Sequence, residues 1–287
     1  MHMKKTTKAI GLLIACFLLG AGNLSAQNTF KILSYNVLKG LQQDSLIHKE
    51  YFQWVREISP DIVAYQEMNG FTQASLEKFA AKYGHPYAIQ SKLEGFPVAL
   101  SSRYPIVNVQ RVVDNMWHSY IYANINKIHV FVIHFSPFNY LKRQQEVRNV
   151  LAHIALLPQN EKILIMGDFN SMSSDDAMAY NDGMVKAMQK REAAEAHIRN
   201  LNNGKIDYTV TDAIKQAGFK DTYLLTNKKF KHSIPTKKYG SAKGKRIDFM
   251  WANPIIARQV TSSTIIHDKT TDHISDHYQV LVTFDFK

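Results

Sequence analysis

Residues able to do chemistry gather at the ends of apolar runs in this chain. The clearest case is Lys162-Ile-Leu-Ile-Met-Gly-Asp-Phe-Asn-Ser171. Ile163 to Met166 run without a polar break, the pattern of a short strand covered on both faces. Gly167 leaves room beside the backbone. Asp168 and Asn170 stand two residues apart, so in a strand that continues they project to the same side. A carboxylate and a carboxamide thus leave the end of a buried strand together, where α/β sheets place their ligands. The segment by itself also suits a plainer role, with Asp168 capping a helix begun at Ser173, Ser174 and Asp175.

The pattern repeats. The strand expected at 30–37 ends near Asn36, the one at 61–67 ends in Gln66-Glu67, and the second arm of a hairpin ends at His134. Two further segments begin with polar groups, Arg246-Ile-Asp248 and Ser275-Asp276-His277. Taken singly, each could satisfy a turn, sit in solvent or pack half-buried. Asp248 could pair with Arg246 or Lys245 as surface electrostatics, which is worth little. Together they describe a polar pocket floored by sheet edges. Glu67, Asp168 and Asp276 with the amides Asn36 and Asn170 are hard oxygen donors, suited to Mg²⁺, Mn²⁺ or Ca²⁺ rather than zinc. The His273–His277 spacing lacks the Glu that a helical zinc motif carries after its first His. No Gly-x-x-x-x-Gly-Lys-Ser/Thr loop and no Gly-x-Ser-x-Gly elbow occurs. The chemistry that remains is metal-assisted attack of water on a phosphate ester, with a carboxylate–histidine pair handling the proton.

These groups need strands and helices to hold them. After the first strand, Asp44 suits an N-cap, and Leu46, Tyr51, Trp54, Val55 and Ile58 form a helical stripe that stops at Pro60. A second helix is expected over 72–83, closed by Gly84. Short strands follow around 87–90, 96–102 and 106–113, then a hairpin of 118–125 and 128–135 turning at Asn126-Lys127. Residues 140–156 read as a helix, 174–205 as polar and helical with interruptions at Gly183 and Gly204, and 211–217 as a short helix. A lysine-rich loop spans 227–245, and strands are expected at 246–251, 259–267 and 278–286. Strand–helix–strand–helix, a meander, the same alternation again and closing strands imply two sheets packed face to face with helices outside. No Pro/Gly linker divides residues 27–287, so one domain, acting as a monomer, is expected.

Residues 1–26 read as a signal peptide. Lys4, Lys5 and Lys8 make a basic start, Ala9 to Gly20 is an apolar run too short to span a bilayer comfortably, and Leu24-Ser25-Ala26 supplies small residues for cleavage before Gln27. A secreted or periplasmic protein is expected; the alternative is a chain lipid-anchored at Cys16 after Leu13-Ile14-Ala15. Cys16 is the only cysteine. Cleavage after Ala26 would leave none, which excludes thiol catalysis and thiolate metal sites. The formal charge of +11 would fall to +8 as the three lysines leave. Such a chain is attracted to anions such as nucleic acid, phospholipid surfaces or phosphorylated small molecules. Its lysines cluster only at 228–231 and 237–246.

Residues 30–287 resemble the endonuclease/exonuclease/phosphatase superfamily, which includes pancreatic-type deoxyribonuclease, abasic-site endonucleases, bacterial sphingomyelinases and inositol-phosphate phosphatases. The resemblance rests on motifs in order: Ser-Tyr-Asn36, Gln66-Glu67, Leu-Ser-Ser-Arg-Tyr-Pro-Ile106, Val-Ile-His134, Gly167-Asp168-Phe-Asn170, Arg246-Ile-Asp248 and Ser275-Asp276-His277. It implies a four-layer α/β sandwich with two mixed sheets inside. It implies a metal, Mg²⁺ or Mn²⁺, held principally by Glu67 with Asn36 beside it, and Asp276 at a second metal position or on the water network. His277, oriented by Asp248, is implied as general base or phosphate-binding imidazole. Asp168 would orient or deprotonate the attacking water, Asn170 would donate to a phosphate oxygen, and His134 would be a second phosphate-binding histidine or general acid. One departure is Leu38, which stands where some members place an acid two residues after the asparagine. The substrate class implied is a phosphate ester, with a nuclease as the leading reading. A phospholipid phosphodiesterase, an inositol or sugar phosphatase, and a non-catalytic binding module of the same fold are the alternatives.

Overall fold

The computed structural model describes residues 29–286, except 159, 241 and 242. The expected signal segment, with Cys16, lies outside the described residues. Among the described residues fourteen strands run in chain order. The first seven are β1 (Thr29–Asn36), β2 (Ile62–Gln66), β3 (Tyr87–Gln90), β4 (Ala99–Ser102), β5 (Val107–Val112), β6 (Ser119–Ile125) and β7 (Ile128–His134). The others are β8 (Lys162–Asp168), β9 (Leu201–Asn202), β10 (Lys205–Ile206), β11 (Lys220–Asp221), β12 (Asp248–Ala252), β13 (Val260–Ile265) and β14 (Val280–Asp285).

Two six-stranded sheets form, in the orders β13-β14-β1-β2-β4-β3 and β11-β12-β8-β7-β6-β5. Each has one parallel pair at its centre, β1 with β2 and β7 with β8, flanked by antiparallel neighbours. A parallel pair needs a crossover. Helix Ser45–Ile58 supplies the first and helix Tyr140–Ile154 the second. The first is fixed by Asp44, whose side chain accepts from the Leu46 and Ile47 amides, and the second by Asn139 acting likewise on Leu141 and Lys142. Both sheets are mixed and both layers of helix lie outside, so the expected four-layer sandwich is the observed fold.

The alternation of side chains explains where the polar groups go. Phe30 and Ile32 of β1, Val130 and Val132 of β7, Leu164 and Met166 of β8, and Met250 and Ala252 of β12 all face the core between the sheets. Leu33 and Tyr35 face the outer helices on one side, and Ile163 and Ile165 face them on the other. Continuing the inner series by steps of two brings Asn36, His134, Asp168 and Asp248 to one end of that inter-sheet layer. The two parallel pairs therefore deliver their carboxyl ends to a common mouth.

Several expectations need correction. Residues 174–205 are not one helical region. A 3₁₀ turn at Ser174–Ala179 precedes a helix at Asp182–Ala194, and β9 and β10 make a small ribbon that turns at Asn203-Gly204. Asn203 and Gly204 both take left-handed backbone, the signature of a tight hairpin turn. Gly183 lies inside the first turn of the helix rather than breaking it. The short strand β11 and the helices Thr222–Thr226 and Thr271–Ile274 were not anticipated from the pattern. Such short elements are built by tertiary contacts and carry almost no periodic signal. The expected turn at Asn126-Lys127 is present, with both residues left-handed between the paired Ile125 and Ile128.

Candidate active site

Asn36, Asp168, Asp248, His134 and His277 lie at the mouth, each at 5 % exposure or less, with Glu67, Asn170 and Asp276 half-buried around them. Asn36 Nδ2 donates to Glu67 Oε1 at 3.3 Å and to Asp168 Oδ2 at 3.1 Å, joining the first sheet to the second. Asn36 Oδ1 accepts from the Leu38 amide. Glu67 Oε2 accepts from the Lys39 amide at 3.1 Å, so the loop after β1 holds that carboxylate from the other side.

Glu67 does not follow the parity of its strand. The inner series of β2 is Ile62, Ala64 and Gln66, which would send Gln66 inward. The backbone of Glu67 is left-handed, with φ at 61°, and this redirects its carboxylate toward Asn36. A non-glycine residue in that region is strained, and such strain collects at functional sites. Gln66 stays fully buried below, and both of its amide atoms lack a partner among the described residues.

On the second sheet, β12 and β8 pair Asp248 directly with Asp168. Asp168 Oδ1 accepts from the Asn170 amide at 2.8 Å, which closes a tight turn after the strand. The capping role that the segment also allowed belongs instead to Ser173, which accepts from the Asp175 amide. Asn170 is left-handed and donates through Nδ2 to the Phe135 carbonyl at 3.1 Å. Gly167 is required by crowding: a Cβ there would stand 2.0 Å from the Ile133 carbonyl oxygen on β7.

His277 Nδ1 donates to Asp248 Oδ2 at 2.8 Å, and its Nε2 faces Asp168 Oδ2 at 3.8 Å. The two residues meet as their positions at the starts of segments suggested. Surface pairing of Asp248 does not occur. Arg246 instead is buried between Asp176 and Asp221, with Nε at 2.7 Å from Asp176. Ser275 holds the His277 segment in place, because its hydroxyl donates to the Asn36 carbonyl at 2.7 Å and accepts from the His277 amide. His134 Nε2 lies 3.6 Å from Asp168 Oδ2, and its ring stacks on His118 with centroids 4.1 Å apart.

Sequence reasoning missed two supports: His118 behind His134, and Ser233, whose hydroxyl accepts from the amides of Ile247 and Asp248. His118 immediately precedes β6 opposite the end of β7, so the hairpin register Ser119–His134 could have found it. Nothing local marks Ser233.

Burial and the neighbouring Asp248 push the Asp168 carboxyl up to about 7, against the pull of His277. Burial opposes charge on His277, but Asp248, with Asp168 and Asp276 behind it, outweighs that and raises the imidazole well above its ordinary value. Burial drives His134 the other way, helped by His118 and His277, so it is a neutral imidazole. Burial raises Glu67, and so does Asp276, against the lowering field of His277. Acids pressed together out of water suit a hard cation, since such an ion relieves both their burial and their repulsion. The donor set of carboxylates and a carboxamide fits Mg²⁺ or Mn²⁺ at Glu67. Asp168, Asp248 and His277 also bring one ligand atom each within 4.8 Å of one another, a trio that could hold a cation. In that trio His277 Nδ1 is already engaged by Asp248.

Two mixed sheets between helices, with acids, amides and a carboxylate-bound histidine at one mouth, define a protein of the DNase I-like class of phosphoesterase folds. The model of the Endonuclease/Exonuclease/phosphatase family matches residues 33–277, and the chain belongs to that family. No curated protein matches the chain. Among solved structures it is similar to an AP endonuclease from Archaeoglobus fulgidus, with TM-score 0.66 and 19 % identity over 90 % of this chain and 100 % of that one. It is similar at TM-score 0.66 and 18 % identity to a 3′ phosphatase, NExo, from Neisseria bound to a product DNA hairpin, again over 90 % and 100 %. D. rerio TDP2 complexed with single-strand DNA product matches at TM-score 0.61 and 15 % identity over the same shares. These likenesses establish the shared fold.

Proposed function

We propose that the chain is a divalent-metal-dependent hydrolase of phosphoric esters, with nucleic-acid phosphodiesters as its leading substrate class. The observation that carries this reading is the continuous contact from Glu67 through Asn36 to Asp168, beside the His277–Asp248 pair. Glu67, Asp276 and the free lone pair of Asn36 Oδ1 would hold the ion. When bound, Mg²⁺ or Mn²⁺ neutralises phosphate charge and polarises the phosphoryl group toward attack. His277, kept cationic by Asp248, offers its Nε2 proton to a phosphate oxygen. Asp168 takes the proton of the attacking water, and its position between Asn36, Asn170 and the imidazoles fixes the direction of attack. Asn170 has a second Nδ2 hydrogen to give the phosphate, and neutral His134 donates a hydrogen bond rather than a proton. Export by way of residues 1–26 and action as a monomer belong to the same reading. The structural neighbours that hold DNA products support the choice of nucleic acid.

A substrate panel tests it. The purified chain with Mg²⁺ or Mn²⁺ is offered plasmid DNA, RNA, sphingomyelin, inositol phosphates and bis-p-nitrophenyl phosphate. DNA or RNA should be cleaved, and EDTA should abolish cleavage. Turnover of sphingomyelin or inositol phosphates alone would move the substrate class. No turnover on any of them would leave a binding module.

A further inference from the structure

Beside Asn170 the mouth continues into a pocket of about 340 Å³. Its walls include Phe138, Met172, Ile234 and Ile247, and four cations line it: Arg143, Arg191, Lys243 and Lys245. Among the described residues one carboxylate does so, Asp207, and its oxygens already accept from Gln144, Asn202 and Thr209. Arg191 is paired with Glu195 at the surface. Arg143 and Lys245 have no salt bridge among the described residues, although Asp207, Glu146, Asp168 and Glu192 act on Arg143 from beyond contact distance. Arg143 is 3 % exposed. Its Nη1 donates to two neutral oxygens, the Ser136 carbonyl and Asn200 Oδ1, and its Nε meets no acceptor. The Lys245 ammonium meets no acceptor among the described residues. Burial lowers its affinity for the proton, and Arg191 and Arg143 lower it further.

A buried guanidinium with no carboxylate in contact is costly. A fold that needed only stability would have paired or replaced it. The buried Arg143 and the half-buried Lys245 meet at one apolar-walled pocket, and that pocket adjoins a group placed to hold the scissile phosphate. We propose that the pocket receives a second phosphate carried by the substrate, so that the preferred substrates are compact phosphoric esters with a further phosphate close to the one attacked. The inference rests on the hydrolase reading. The carbon skeleton between the two phosphates lies against Phe138, Met172 and Ile247. Arg143 and Lys245 supply charge to the second phosphate, and Asn170 marks the boundary between the two subsites.

A nucleotide or a phosphorylated sugar could bring that second phosphate, so the test uses both. Values of kcat/KM with Mg²⁺ are compared for a nucleoside 3′,5′-bisphosphate against the 5′-monophosphate, and for a hexose bisphosphate against the hexose monophosphate. In at least one pair the second phosphate should raise kcat/KM about tenfold or more, mainly through KM, and the responding pair identifies the source. Lys245→Gln should bring that ratio toward one; Lys245 is chosen because Arg143 also clamps Ser136 and Asn200. A ratio near one in both pairs, or equal losses on both members of the responding pair, would overturn the proposal. Calorimetric binding of pyrophosphate in EDTA separates the two readings. Wild type and Glu67→Gln should bind alike, and Lys245→Gln should bind at least about tenfold more weakly. Lys245-dependent binding without turnover of any ester would keep the pocket and sink the hydrolase reading. Turnover of DNA with no pyrophosphate binding and no ratio would do the reverse.

Discussion

Glu67 owes its position to a backbone torsion, not to the alternation of its strand. Its neighbour Gln66 has the inward parity, yet Glu67 reaches Asn36 because its φ is 61°. A residue kept in that region and aimed at other acids serves something beyond folding. Glu67→Gln should therefore raise the Mg²⁺ concentration for half-maximal activity by about tenfold or more, since losing one carboxylate weakens a hard-ion site. Its urea midpoint should stay close to wild type. If Asp248→Asn rather than Glu67→Gln moves the metal requirement, the ion belongs to the Asp168–Asp248–His277 trio. The His277–Asp248 pair gives a second expectation. His277→Ala should lower kcat by roughly 10²–10⁴, Asp248→Asn should cause much of the same loss, and the double variant should be little worse than His277→Ala. The sign of the pH effect follows from charge. The carboxylates raise His277, so the cationic form prevails at neutral pH and is lost as pH rises through the raised value. Wild-type activity should have a basic limb that His277→Ala lacks, and additive losses or an unchanged basic limb would take His277 out of this role. At this scale much could be read from the chain. Asn36, His134, Asp168 and Asp248 follow from strand parity and run ends. The left-handed turn at Glu67 and the Ser275 brace do not, because torsions and contacts across 239 residues leave no local mark.

Among the elements, the parallel pair β7–β8 sets the tightest tolerance. Gly167 faces Ile133 so closely that a methyl group would overlap its carbonyl oxygen. Gly167 also has φ at 142°, a region that other residues avoid. Gly167→Ala should push β8 from β7, cost about 3 kcal/mol or more in urea unfolding, and displace Asp168 enough to reduce activity in the fraction that folds. A midpoint within error of wild type would show that the strands can part freely. The crossover helices were legible because caps and stripes mark them: Asp44 with Tyr51, Trp54 and Val55 for the first, and the run from Tyr140 for the second. The ribbon of β9 and β10 was not. Its polar residues have helical neighbours, and only the Asn203-Gly204 turn distinguishes it.

Away from the pocket beside Asn170, positive charge among the described residues is distributed rather than focused. Lys237 is tied to Asp272 at 2.7 Å and Lys215 bridges Asp175 and Asp212, whereas Lys245 turns into the pocket. The remaining surface cations act on a polyanion collectively and through a salt-sensitive field. Raising NaCl from about 50 to 200 mM should lower kcat/KM on DNA several-fold and change hydrolysis of bis-p-nitrophenyl phosphate little. Equal responses would show that polynucleotides gain nothing from the wider surface. No helix among the described residues is long and apolar enough to cross a membrane. The direction of the strands has one more consequence. β1 begins at Thr29 and delivers Asn36 to the mouth seven residues on, a separation of roughly 23 Å at about 3.3 Å per residue. β14 runs antiparallel to it and brings Asp285 back opposite Thr29. Both ends of the described chain therefore leave from the rear of the sandwich. A tether attached close to either end of the described chain would hold the molecule by its back and turn the mouth outward.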